Sequence, residues 1–232
     1  MANGHFVPTR TILRDQGNGR REAHQKVPPT VFIVDDDAGL RESLAYLLRS
    51  NGFDVGAYDT AEAFLGGFDA AQPGCALADV RLPGMSGIAL QRVLSSRGTS
   101  LPLIIMTGYA DVAMAVTALR HGAYDFIEKP VEPEKLLASV RQALAHDAEL
   151  RRKRQQHEWA RQRLAGLSAR EREVLALVVD GAPSKVIAFD LRISQKTVEA
   201  HRASIMQKMQ ADSLAQLIRL GLTAQLSLTA QS

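Results

Sequence analysis

Asp35, Asp36 and Asp37 follow "TVFIV", and Asp79 closes "CALAD". Thr107 follows "PLIIM", and Lys129 comes two places after "YDFI". Each therefore stands where a short apolar run ends. Carboxylates brought together cannot all stay ionised without a cation among them. An all-oxygen donor set suits Mg2+, which prefers octahedral geometry, keeps waters and favours phosphate oxygens. Lys129 would add a point positive charge and Thr107 a hydroxyl donor. Together they make a site that receives a phosphoryl group, with one carboxylate as nucleophile.

For that chemistry the runs must be strands whose ends meet. "VFIV" (31–34) precedes "AGLRESLAYLLRS", where Leu40, Leu44, Leu47 and Leu48 recur at helical spacing and Asn51-Gly52 stops the helix. "FDVGAY" (53–58) leads to a short helix at "DTAE", where Asp59 is expected to cap and Glu62 to reach back. "CALADV" (75–80) precedes "SGIALQRVLSS", and "PLIIM" (102–106) precedes "DVAMAVTALRHGA". "YDFI" (124–127) precedes "EPEKLLASVRQALA", with Pro133 in the first turn. Five strand–helix units predict an α/β doubly wound, flavodoxin-like fold: a parallel sheet with helices on both faces. Ligands of such sheets lie beyond the carboxyl ends of the strands. In a 2-1-3-4-5 order the first and third strands are neighbours, so Asp35 and Asp36 converge with Asp79.

Residues 30–145 resemble the receiver domains of response regulators in "VDDD" (34–37), "ADVRLPGMSG" (78–87), "MTG" (106–108) and "EKP" (128–130). The resemblance implies that Asp79 attacks a sensor kinase's phosphohistidine and becomes an aspartyl phosphate. It implies that Asp36 binds Mg2+ directly, that Asp35 helps through water and that the Arg81 carbonyl is a further ligand. Lys129 would contact the phosphoryl group, with Lys129–Pro130 cis. Thr107 would move toward the phosphate and Phe126 would follow inward as a switch. Asp37 falls at a variable acidic position outside the site. Gly108 stands where many receivers carry Ala.

Charge divides the 232 residues. Residues 30–145 hold 9 Lys/Arg against 14 Asp/Glu, and residues 146–232 hold 14 against 9. A basic half points to a polyanionic partner. The single cysteine, Cys75, excludes an internal disulfide and suits a reducing cytosol. No apolar run is long enough to span a bilayer, so a cytoplasmic protein without a membrane partner is expected. Residues 1–29 read as a disordered tail, or as sequence ahead of the true start. Residues 146–163, with "RRKRQQHE", form a basic linker or a helical extension.

Residues 164–226 are helical throughout. Ser168 caps the first helix with Glu171 completing a capping box, and Val174, Leu175, Leu177 and Val178 face a core. Ser184 opens a second helix. Ser194 caps a third with a stripe of Val198, Ile205, Met206 and Met209, and "SLAQLIRLG" makes a fourth. The second and third read as a helix-turn-helix. Lys196, Glu199, Ala200, Arg202 and Ala203 are left to project toward a DNA major groove, Ser184 or Lys185 would hold phosphates, and Ser194, Thr197 and Lys208 are further candidate DNA contacts. This segment resembles the LuxR-type family in "REREVL", Gly181, "KVIA", "IS", "TVEAHR", "IMQK" and "SLAQLI". Glu173 and Val198 read as structural. Glu199 departs from relatives with Lys there; a Glu can accept from a cytosine amino group.

Receiver and LuxR-type output together resemble the FixJ/NarL group of two-component response regulators. That resemblance implies a histidine kinase, double-stranded DNA, RNA polymerase and a second copy of the chain, as a phosphorylated homodimer, as partners. Two other readings stay open. One is a DNA-binding regulator whose receiver does not use phosphate, against which stand Asp79 and Lys129. The other is an aspartate-nucleophile phosphatase of the haloacid-dehalogenase type, on the Asp-x-Asp within "DDD". That family wants Thr or Val where this chain has Gly39.

Overall fold

The computed structural model describes residues 27–108, 119–120 and 122–229. The expected tail up to residue 26 and most of the helix expected over 111–123 lie outside the described residues; Leu119 and Arg120 are helical. The first half runs β1 (Thr30–Val34), α1 (Ala38–Ser50), β2 (Asp54–Tyr58), α2 (Ala61–Gly67), β3 (Gly74–Asp79), α3 (Gly87–Ser96), β4 (Leu103–Thr107) and β5 (Asp125–Glu128). The strands form one parallel sheet in the order β2-β1-β3-β4-β5.

Alternation along the strands fills two cores. Phe32, Val34, Ala76, Ala78, Leu103 and Ile105 meet Phe64 of α2 and Leu90 and Leu94 of α3. Val31, Ile33, Cys75, Leu77, Ile104 and Met106 face the other way, onto Leu44 and Leu48 of α1. Successive side chains point to opposite faces, so a sheet covered on both sides needs near-continuous apolar strands. Val34 pairs with Ala78. The next residues, Asp35 and Asp79, therefore emerge side by side at the same end of the sheet.

Helix α2 starts differently from the expectation at "DTAE". Thr60 is the cap, its hydroxyl accepting from the Ala63 N–H at 3.2 Å. Asp59 lies one residue too early for that geometry, and Glu62 reaches the loop after β3 instead.

The last receiver helix does not stop where its apolar face stops. Helix α4 (Pro133–Ala165) is 33 residues long, roughly 50 Å at 1.5 Å per residue. Leu136, Val140 and Ala143 complete the second sheet core. Ala160, at the other end of the helix, is fully buried, and Leu164 packs against the helical core of the second half. The segment 146–163, read as a basic linker or a helical extension, thus lies within one helix.

That helical core lies among α5 (Ala169–Val179), α6 (Ser184–Asp190), α7 (Gln195–Met209) and α8 (Leu214–Thr229). Val174, Leu175, Val178, Ile187, Val198, Ile205, Met209 and Leu217 are buried in it, with Leu177 and Met206 packed at its edge. Ser168 and Glu171 form the expected capping box. Helix α8 runs on past the end that the apolar pattern marks near Gly221.

Candidate functional site

Asp35 is fully buried, and its backbone carbonyl accepts from Arg41 Nη1 at 2.5 Å. Asp35 Oδ1 accepts the Asp37 N–H at 3.0 Å. Asp37 itself caps α1, accepting from the Leu40 N–H at 3.1 Å. The triplet is therefore divided: the third acid starts a helix and the first two face the site.

Asp35, Asp36 and Asp79 each offer an oxygen, and these atoms all lie within 4.8 Å of one another. Lys129 Nζ donates to Asp35 Oδ2 and to Asp79 Oδ2, both at 2.8 Å. Burial of Lys129 works against its charge, but the two carboxylates outweigh it and hold the ammonium above its ordinary pKa. The Lys129 N–H donates to the Thr107 carbonyl at 2.6 Å, and the Lys129–Pro130 peptide is cis. One lysine among three carboxylates leaves negative charge uncompensated. A set of oxygens only, so spaced, fits a hard divalent cation.

Neighbouring groups fix these positions. The Arg81 N–H donates to Asp79 Oδ1 at 3.2 Å. Farther along the same loop, the Met85 N–H donates to Glu62 Oε1 at 3.0 Å. Gly87 begins α3 against the Asp79 backbone, where a Cβ would fall 2.3 Å from the Asp79 carbonyl oxygen. Thr107 is buried at the end of β4. Phe126 pairs with Ile105 across the sheet and is half-buried against the first core. Arg41 and Glu62 were not among the sequence-predicted site residues. Glu62 carried a misleading signal as a helix-cap partner, and Arg41 carried none.

In the second domain Ser194 caps α7, its hydroxyl accepting from the Thr197 N–H at 3.0 Å. Lys185, Lys196, Thr197, Glu199, Ala200, Ala203 and Lys208 are exposed, while Ser184 and Arg202 are half-buried. The expectation that Arg202 projects outward needs correcting. It follows buried Val198 by four residues, so it turns toward α6, where Arg202 Nη1 donates to Ser184 Oγ at 3.0 Å. The Ser184 hydroxyl donates in turn to Glu199 Oε1. Lys196, Ala200 and Ala203 form an exposed stripe that continues to Gln207. Sequence reasoning left Gln207 out, although its place four residues after Ala203 was signal enough.

Lys208 donates to Glu171 Oε2 at 2.7 Å. Ser204 Oγ donates to Glu171 Oε1 at 2.7 Å, and the Ser168 N–H to Oε2 at 2.7 Å. Lys208, Ser204 and Ser168 hold the buried Glu171 carboxyl far down, at about 2. Glu173, read as structural, is exposed in an ion pair with Arg170 at 2.6 Å.

A doubly wound sheet with acids and a lysine at its carboxyl edge, joined to a helix-turn-helix, defines a class of signalling regulator. Residues 31–141 match the response regulator receiver domain, and residues 165–220 match the bacterial regulatory proteins of the luxR family. The chain belongs to the response regulators that carry a LuxR-type DNA-binding domain, and it is FixJ-like. It is 46% identical over 197 residues to the transcriptional regulatory protein FixJ of Azorhizobium caulinodans, covering 84% of this chain and 92% of that one. FixJ of Rhizobium meliloti is 45% identical, at 83% and 95% coverage. Among solved structures, the response regulator StyR shares 42% identity at a TM-score of 0.76, covering 83% of this chain and 98% of that one. Full-length FixJ from B. japonicum shares 39% at a TM-score of 0.52, covering 85% and 98%. Among the described residues no helix is long and apolar enough to cross a membrane.

Proposed function

We propose that Asp79 accepts a phosphoryl group from the phosphohistidine of a sensor kinase and that this controls sequence-specific DNA binding and transcription. The observation that carries the reading is the trio of carboxylates within 4.8 Å of one another, two of which, Asp35 and Asp79, share the Lys129 ammonium. Asp35, Asp36, Asp79 and the Arg81 carbonyl would hold Mg2+. When bound, the ion supplies positive charge against the carboxylates and the incoming phosphate oxygens.

The chain's own residues do the rest. An Asp79 carboxylate oxygen forms the new bond to phosphorus as the phosphorus–nitrogen bond of the phosphohistidine breaks, and the departing imidazole takes up a proton. Lys129 passes from Asp79 to the phosphoryl oxygens, matching new negative charge with charge already in place. Thr107 donates its hydroxyl to the same group, and Phe126, on the adjoining strand, moves inward after it. The change biases two arrangements of the face around β5 and α4. In one of them a phosphorylated homodimer presents two copies of α7 to paired half-sites. Lys196, Ala200 and Ala203 meet base edges, with Lys185, Ser194 and Thr197 beside phosphates. Lys208 has two ammonium protons left after Glu171 and serves there too. The protein works in the cytoplasm, with RNA polymerase as a further contact.

Incubation with acetyl phosphate and Mg2+ tests the first step. One acid-labile phosphoryl group is expected on the wild type and none on Asp79→Asn. A modification that persists in the variant rejects the assignment. Selection of bound genomic DNA with and without phosphorylation then gives the operator and the direction of the switch.

A further inference from the structure

Helix α4 leaves the receiver without apolar cover, yet the receiver still holds it. Ala143 is the last apolar side chain that it buries in the sheet core. One turn on, Asp147 is 1% exposed. Its Oδ2 accepts the Gly74 N–H at 3.0 Å and Arg151 Nε at 2.7 Å. The rest of the Arg151 guanidinium reaches three carbonyls of the loop before β3: Nη1 to Ala71 at 2.9 Å, and Nη2 to Gln72 at 2.6 Å and Ala70 at 3.2 Å. The planar fork of arginine is suited to several fixed acceptors at once. Only glycine fits at this strand start, because a Cβ at Gly74 would lie 2.1 Å from the Thr30 carbonyl oxygen.

The position of these contacts matters as much as their number. Gly74 and Asp79 are the two ends of β3. The strand that presents the candidate phosphoacceptor at one end is tied at the other to the helix that enters the second domain. At its far end, that helix is tied to the second domain by Arg163, which donates to the Lys208 carbonyl at 3.3 Å and to Gln210 Oε1 at 2.5 Å. Between these ties, residues 152–156 are exposed all round. Arg152 and Lys153 pair within the helix with Glu149, and Arg154 makes a 3.5 Å bond to the Gly98 carbonyl.

We propose that Asp147 and Arg151 form an interdomain latch. They are positioning residues that fix the direction in which α4 leaves the receiver, and so tie the state of Asp79 to the placement of the DNA-binding domain. The second half of this statement rests on the function proposed above; the first half does not.

The test uses the full chain, spin-labelled at Arg97→Cys and Ala215→Cys. Cys75 stays unmodified, because its thiol is fully buried in the sheet core. The wild type is expected to give one narrow interdomain distance distribution. Arg151→Gln and Asp147→Asn should each broaden it at least twofold, and Arg152→Gln should leave it narrow. A width unchanged in the latch variants overturns the proposal. If Asp147→Asn does not fold, Arg151→Gln decides alone. In a second measurement, the ratio of DNA affinities with and without phosphorylation should fall at least fivefold in Arg151→Gln, with phosphoryl uptake unchanged. A ratio kept at the wild-type value rejects the coupling. Failure of the wild type itself to take up phosphate would sink the proposed function, while the distances would still judge the latch.

Discussion

The two domains each gather charge around a buried carboxylate, Asp35 in one and Glu171 in the other, to opposite effect. In the helical domain Glu171 is a lone acid with Lys208, Ser204 and the Ser168 N–H aimed at it. In the receiver three acids lie together around one ammonium, which pairs with Asp35 and Asp79 and leaves Asp36 without it. The first arrangement is saturated and joins α5 to α7. The second is short of positive charge and poised to take up more. Counting donors against acceptors separates an acid whose charge is matched within the fold from acids whose charge is not.

The sharpest way to break this contrast is to remove an acid from the unsaturated site. Asp36→Asn should lower Mg2+ affinity by ~100-fold or more, the upper end of what outer-shell changes cost, while the fold stays intact. Calorimetric titration of the full chain measures it. An unchanged affinity would remove Asp36 from the ligands.

In the saturated site the loss should fall on stability. Glu171→Ala removes half of a capping box and charge-assisted hydrogen bonds, together ~2–3 kcal/mol. Trp159, the only tryptophan, stacks under Arg163 at 4.1 Å and reports urea unfolding of that domain by fluorescence. The pH dependence sharpens the point. The Glu171 pKa in the fold lies below the unfolded value, so the unfolded chain binds the proton first. Its stabilisation is complete above the ordinary carboxylate range and is lost as pH falls toward about 2. Glu171→Gln should flatten that acid slope.

A smaller effect is expected from Glu62, whose carboxylate braces the loop between Asp79 and α3. Glu62→Ala should weaken Mg2+ binding by about 10-fold, and Glu62→Gln, which keeps an acceptor oxygen, should restore most of it. Equal values for both variants would deny the brace.

The receiver was legible because each important residue stands just past an apolar run of its own, and strand ends in a parallel sheet meet. The parallel sheet and its two covered faces come from that pattern, and the meeting of Asp35 with Asp79 follows from it once the strand order is 2-1-3-4-5. The capping box at Ser168 was equally plain, since its spacing is local. The hidden features depend on partners distant in sequence. Glu62 fits a local cap, but the nearer Thr60 takes that place and leaves Glu62 for Met85. Arg202 looks outward from its charge, yet the turn of the helix carries it toward Ser184. The continuity of α4 was left open, as linker or helical extension, for a different reason. Periodicity registers apolar faces, and the helix is carried past Ala143 by Asp147 and Arg151, which bond to residues 70–74 far back in the chain.

An uninterrupted helix between two domains also fixes an angle. Each residue added to a helix advances the downstream chain by ~1.5 Å and turns it by about 100°. One residue inserted among 152–156 would swing the reading head to the wrong side of its signalling half. Seven would bring it back near its original bearing, about 10 Å farther along the axis. Spacer length in this helix therefore sets bearing as well as distance, and an insertion of seven residues keeps the first while changing the second.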